Sequence, residues 1–246
     1  MATATANAIA RHPHLSTQCP AGWVRVDMHS HTLHSGDSTT TIDEVAQAVH
    51  DAGIDVLFVT DHNSISGVPQ LAHVIEREGR CRVIAGEEVR THAGEIIGLF
   101  VSQRIPFGEN ARVTAQAIRD QGGLVYVPHP FDPMRRNISE VALDHLTQNG
   151  LVDAIEVFNA KTSLQSLNER ARRFALDHHL VHGAGSDAHV PLALGSAFVD
   201  MPDFDGPQEF LESLRAGKVS GHHWDEPRPW TSRVVPSTPL DQFNGD

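Results

Sequence analysis

The chain is poor in the residues that would place it in an oxidising compartment or in a membrane. Only two of its 246 residues are cysteine, Cys19 and Cys81, and their isolation excludes a disulfide-built scaffold. No run approaches the roughly 18 consecutive apolar residues of a membrane span. The first 22 residues carry Arg11, His12 and His14 without a continuous apolar stretch, which argues against a secretory signal. A cytoplasmic protein with no membrane partner is the expectation. Basic residues are also scarce: 19 Lys and Arg stand against 31 Asp and Glu, a formal charge of −12. Nucleic-acid binding, which needs a basic footprint, is therefore not expected. A small anionic substrate is still allowed, because bound metal ions invert a local field. No Gly-x-Ser-x-Gly elbow and no P-loop is present, so nothing points to a protein nucleophile.

What is abundant is histidine, at 17 residues. His12, His14, His50, His73, His145, His178 and His179 fall in the tail or in helix-like segments and read as solvated or core residues. The stretch Val26-Asp27-Met28-His29-Ser30-His31 is different, an apolar run ending in His-x-His. On a strand, residues i and i+2 point to one side, so His29 and His31 project together. Two converging imidazoles make half of a metal site.

The rest of the chain alternates apolar runs with segments of helical period. Strand-like runs fall at Trp23–Met28, Val56–Thr60, Arg82–Ala85, Ile96–Val101, Leu124–Val127, Ala154–Phe158, Val181–Gly183 and Ala197–Val199. Helical patterns cover Thr41–Ala52, Val68–Glu78, Ala111–Gln121, Glu140–Gln148, Leu164–His179 and Pro207–Ala216. Thr41 with Glu44 forms a capping box, and Gly53 sits where a helix C-cap is expected. Such repetition predicts an α/β fold with a parallel sheet, open or closed into a barrel, in one domain. Residues 1–22 are expected to form a flexible segment and 23–221 the folded body. Residues 222–246 are expected to form an irregular Pro-rich tail, draped on the body through Trp224 and Trp230.

Metal-ligand residue types recur after successive runs. They are His29 and His31, then Asp37, Asp61 and His62, Glu87 and Glu88, His129, and Asp187 with His189. Strand ends of this kind are where α/β barrels and doubly wound sheets place their sites. Core or surface needs do not explain so many, because a buried charge is costly unless paired or coordinated.

The ordered set His29-x-His31, Thr60-Asp61-His62, Gly86-Glu87-Glu88, His129-Pro130 and Ser186-Asp187-x-His189 resembles the polymerase-and-histidinol-phosphatase (PHP) family of metal-dependent phosphoesterases. The resemblance runs from about Val24 to about Gly221. It implies a distorted TIM-like barrel of seven parallel strands with a cluster of two or three divalent ions at one mouth. It makes His29, His31, Asp37, His62, His129, Asp187 and His189 metal ligands. Glu87 matches the bridging carboxylate, with its neighbour Glu88 as the alternative that only geometry decides. Asp61 is either a partner of a ligand or a structural cap, and His34 a pocket-wall residue. Where some relatives carry a further ligand histidine, this chain has Glu95, with His92 nearby as a substitute. Glu156 and Asn159 are strand-end polar residues near the pocket.

So many imidazoles suit zinc, manganese or iron better than magnesium alone. Two such ions generate a bridging hydroxide near neutral pH, which would attack phosphorus in line; His29, His31, Asp187 and His189 would act catalytically through it. Phosphate recognition needs fixed positive charge, for which Arg135, Arg136 and Lys161 are the candidates. The expected activity is hydrolysis of a small phosphomonoester such as a nucleotide, sugar phosphate or amino-alcohol phosphate. Alternatives are a metal-dependent amidohydrolase, whose barrels also open with His-x-His, and a non-catalytic metal-binding accessory domain.

Overall fold

The computed structural model describes residues 19–76 and 81–224. In chain order the main elements are β1 (Trp23–Asp27), α1 (Ile42–Ala52), β2 (Val56–Val59), α2 (Gly67–Glu76), β3 (Arg82–Thr91) and β4 (Gly94–Leu99). They continue as α3 (Ala111–Asp120), β5 (Leu124–Val127), α4 (Glu140–Gln148), β6 (Ala154–Asn159), α5 (Gln165–Asp177) and β7 (Val181–Gly185). The last three are β8 (Ala197–Pro202), α6 (Gly206–Arg215) and β9 (Lys218–Gly221). Local chemistry sets several boundaries. Thr41 and Glu44 close a reciprocal capping box on α1, and Gly53 ends that helix in the left-handed region. Asn110 and Ser139 cap α3 and α4 with their side chains.

One sheet runs in the order β7-β6-β5-β4-β3-β2-β1-β8-β9. Its two halves curl until β1 meets the end of β7. Met28 N–H donates to Ala184 O at 3.2 Å, and Asp187 N–H donates to His29 O at 2.7 Å. The result is a nearly closed seven-stranded barrel, with β8 and β9 added outside on β1. The expected parallel barrel is present with one correction. β4 pairs antiparallel with both β3 and β5, while the other neighbouring barrel strands pair parallel. Only two residues, His92 and Ala93, separate β3 from β4, which permits only a hairpin, since a parallel crossover needs a dozen or more residues. β3 also runs six residues past its expected end, because Val89 and Thr91 are buried and continue the ladder onto β4. β9 has no apolar run to announce it. It is held as an edge strand by antiparallel pairing to β8.

The barrel interior is an apolar plug of Val26, Met28, Phe58, Ile97, Leu99 and Tyr126. A second core lies between β4, β5, β6 and α3, α4, α5, and a third packs α1 and α2 on β2. Gly183 is where the plug needs glycine, since a Cβ there would come within 2.6 Å of the Tyr126 ring. Residues 19–22 lie on the body rather than swinging free: Cys19 donates to Asp200 at 3.2 Å, and Asp203 N–H donates to Gly22 O at 2.9 Å. Trp224 packs on the first and third cores. Trp230 and the remainder of both tails lie outside the described residues. No helix among the described residues is long and apolar enough to cross a membrane.

Candidate metal centre

Above the plug, at the mouth where six of the strands end, the histidines and carboxylates meet. His29 Nε2 and His31 Nε2 lie 3.1 Å apart, as the His-x-His spacing requires. Glu88, Asp187, His62, His129 and His189 surround them. Four groups of potential ligand atoms, each within 4.8 Å of one another, recur in this space: His29/His31/Asp187, His29/Glu88/His129, His62/Glu88/Glu95, and His31/Asp37/His62/His189. Shared members make this one cluster rather than four sites.

Glu88 is its hub, and here the reading of Glu87 is corrected. Glu88 reaches His29 Nε2 and His31 Nε2 at 3.2 Å, His62 Nδ1 at 3.2 Å and His129 Nε2 at 2.9 Å. Glu87 points the opposite way on the pleat and accepts from Ile105 N–H at 2.7 Å. Period-two alternation decides it: Ile84 and Glu88 face the barrel, and Glu87 faces outward with Val89.

The other assignments divide as follows. His29, His31, His129, Asp187 and His189 are buried in the cluster. Asp37 enters from the exposed loop, 3.1 Å from His189 Nε2 and 3.4 Å from His62 Nε2. Asp61 is a structural cap, accepting from Thr32 N–H at 2.6 Å and Thr32 Oγ1 at 2.8 Å. Glu95, at the start of the antiparallel β4, is brought to the same mouth and lies 3.8 Å from His62 Nδ1. His92 is exposed and outside the cluster, and His34 turns to Ser66 instead. Arg135 lies half-buried with Nη1 3.5 Å from Asp187, and Lys161 Nζ lies 3.6 Å from the same carboxylate and 2.7 Å from His189 Nδ1. Arg136 is exposed at the mouth, and its carbonyl accepts from Glu95 N–H at 2.8 Å.

Beneath the cluster sit groups that sequence reasoning valued too low. Glu156 Oε1 accepts from His29 Nδ1–H at 3.1 Å, and its Oε2 accepts from His129 N–H at 2.6 Å and Asn159 Nδ2 at 2.9 Å. Ser35 Oγ accepts from His31 Nδ1 at 2.8 Å and from His62 N–H at 3.0 Å. Asp27 gathers the backbone N–H groups of His29, Ser186 and Gly195. A charged residue between apolar neighbours was the available signal for Glu156 and Asp27; Ser35 had none. Both His129 (φ 28°) and Asp187 (φ 51°) hold left-handed backbone, a cost of about 1–3 kcal/mol each that clusters at functional sites. Gly185 is required beside them, because a Cβ would collide with that of His29.

The electrostatics fit a divalent cluster. Burial alone would discharge these imidazoles, yet Glu156, Glu88 and Asp187 raise His29 well above its ordinary value. Against the same burial effect, Glu88 and Asp37 bring His62 up to about 9. Despite burial, Glu88 is held well below the carboxylate range by His29 and His62, and Asp187 by Lys161 and Arg135. Such anions demand cationic partners, and the mixed nitrogen and oxygen donor set suits borderline divalent metals. Glu156 and Ser35 occupy the Nδ1 atoms, leaving the His29 and His31 Nε2 lone pairs for a metal.

A model of the PHP domain matches residues 27–189, and one described as PHP-associated matches residues 165–219. The chain belongs to the PHP domain family. An uncharacterized protein of Methanocaldococcus jannaschii is 34% identical over 147 residues, 56% of this chain and 82% of that protein. Among solved structures, a two-domain Bacteroides vulgatus protein containing a predicted PHP-like metal-dependent phosphoesterase has TM-score 0.67 at 20% identity, over 81% of this chain. The chain spans 65% of that protein's length. An amidohydrolase from Chromobacterium violaceum has TM-score 0.59 at 16% identity, over 77% of this chain and 96% of its own. At these identities the two structures share the fold with this PHP chain, and that alone.

Glu87 carries a prediction of its own. Burial pushes its carboxyl up to about 7, against the pull of the Ile105 N–H and Arg104. With a folded pKa above the usual 4.5, the contribution of Glu87 to stability is fullest at low pH and is lost as pH rises from about 4.5 through 7, by about 1–3 kcal/mol. Glu87→Gln removes that dependence. Urea unfolding should show the Gln variant gaining on the native chain between pH 5 and pH 8; a constant difference would contradict the burial argument.

Proposed function

We propose that this PHP protein is a metal-dependent phosphoesterase that hydrolyses a small phosphomonoester in the cytoplasm. Nucleic acids and membranes are not its partners on this reading. The observation that carries it is the pairing of Glu88, shared among four histidines, with two cations, Arg135 and Lys161, at Asp187 on the cluster's edge. The cluster's donors would hold two or three divalent ions (zinc, manganese or iron), which would supply Lewis-acid charge for a phosphoester and acidify a water.

The chain's own residues do the rest. His29, His31, His62, His129, Asp187 and His189 would offer ligand atoms to such ions, with the Glu88 carboxylate central among them. Glu156 holds the proton at His29 Nδ1 and so fixes the ring's tautomer and tilt. Ser35 does the same for His31. Arg135 and Lys161 receive the non-bridging oxygens, which fixes the ester against the cluster. Exposed Asp37 and buried Glu95 add two further carboxylates to the donor set.

Phosphate release from a panel of phosphomonoesters, run beside amide and lactone substrates, tests this reading. Turnover confined to the phosphoesters is expected. Turnover confined to amides or lactones would give the site to an amidohydrolase, and stoichiometric metal without any turnover would make it an accessory domain.

A further inference from the structure

A second cavity, of about 310 Å³, opens beside the cluster and shares Met134, Arg135 and His189 with it. Trp224, Val190 and Ala193 form its apolar wall. Trp224 lies beyond both stretches matched by the family models, so this wall belongs to the chain's own C-terminal segment. The backbone there is held to the body by hydrogen bonds: His222 N–H donates to Ser196 O at 2.8 Å and Trp224 N–H to Ala160 O at 2.7 Å. His223 Nε2 lies 2.7 Å from Thr162 O. The half-buried indole packs on two apolar cores and still lines the cavity.

The cavity is polarised. Arg135, Lys161 and His189 stand at the cluster side, and the far side is apolar. Its one hydroxyl, Ser163 Oγ, already donates to Asp132 at 2.7 Å. A polyhydroxylated ligand would exchange hydration for few side-chain partners there, at a desolvation cost. A flat ring would stack on the indole without that cost, and the unbranched Met134, 79% exposed at the rim, adapts to its edge.

We infer that this cavity receives the organic part of the phosphoester, and that this part is a flat ring system stacked on Trp224. The inference rests on the phosphoesterase reading for the direction of the ligand, with phosphoryl group at the cluster and ring against the indole.

The test is equilibrium binding of phenylphosphonate and methylphosphonate to the manganese-loaded full chain by calorimetry, which needs no turnover. The aryl compound should bind at least about tenfold tighter, the worth of one good aromatic contact. Trp224→Ala should bring the ratio near one, and Trp224→Phe should keep most of it, which separates lost stacking from a damaged fold. Equal affinities in the native chain, a ratio unmoved by Trp224→Ala, or no affinity for either compound overturns the inference. A chain that prefers the aryl phosphonate yet releases no phosphate from any ester would overturn the phosphoesterase reading while keeping the ring site.

Discussion

Glu88→Gln is expected to lower phosphoesterase turnover by more than 100-fold and to cut the metal retained after dialysis. Residues that merely orient a ligand are worth about 10–100-fold, and Glu88 itself stands at the centre of the donor set. The substitution keeps shape and removes charge, so it isolates the electrostatic role. Four histidines, His29, His31, His62 and His129, would lose the carboxylate that faces them. Glu87→Gln is the matched control one residue away, since that side chain faces the outer core and touches nothing in the cluster. Its turnover should stay within a few-fold of native. Turnover rates and elemental analysis of both variants decide the matter. Equal damage from both, or a Glu88→Gln protein with full activity and metal, would refute the geometry.

Removing Arg135 and Lys161 should act on substrate capture rather than on metal. Each is worth one hydrogen bond to a charged group, about 1.5–3 kcal/mol, so each Ala variant should lose roughly 10–150-fold in kcat/KM. The two share Asp187 as a neighbour, and Arg135 also donates to Lys161 O at 2.9 Å, so the double variant should fall short of the product. Metal content should be retained. Arg136→Ala, at an exposed position, should change kcat/KM only a few-fold. Unchanged kinetics after replacing both Arg135 and Lys161 would remove them from the site.

The sequence carried the architecture and most of the cluster because each rested on a periodicity. The His-x-His spacing alone placed two ring nitrogens together, and the strand-end position of His62, His129 and Asp187 brought them to one mouth. What it hid has physical reasons. Glu87 and Glu88 are adjacent, and the run before them, Val83-Ile84-Ala85, is apolar on both faces, so sequence could not set the pleat's phase. The direction of β4 followed from a short connection, and that direction puts Glu95 at the mouth. Glu156 looked like a strand-end residue, but a bulge between Glu156 and Phe158 accompanies its placement beneath His29. Trp224 depends on a backbone path across β6 and β8 loops that no local pattern announces.

The central claim is that the cluster holds catalytic divalent ions, and one measurement tests it most directly: phosphate release by the purified chain before and after chelation, with bound metal counted on the same samples. The account predicts at least two zinc, manganese or iron ions per chain, activity lost with them, and activity restored on adding one of these metals back. Undiminished phosphate release from a chain stripped of metal would contradict it.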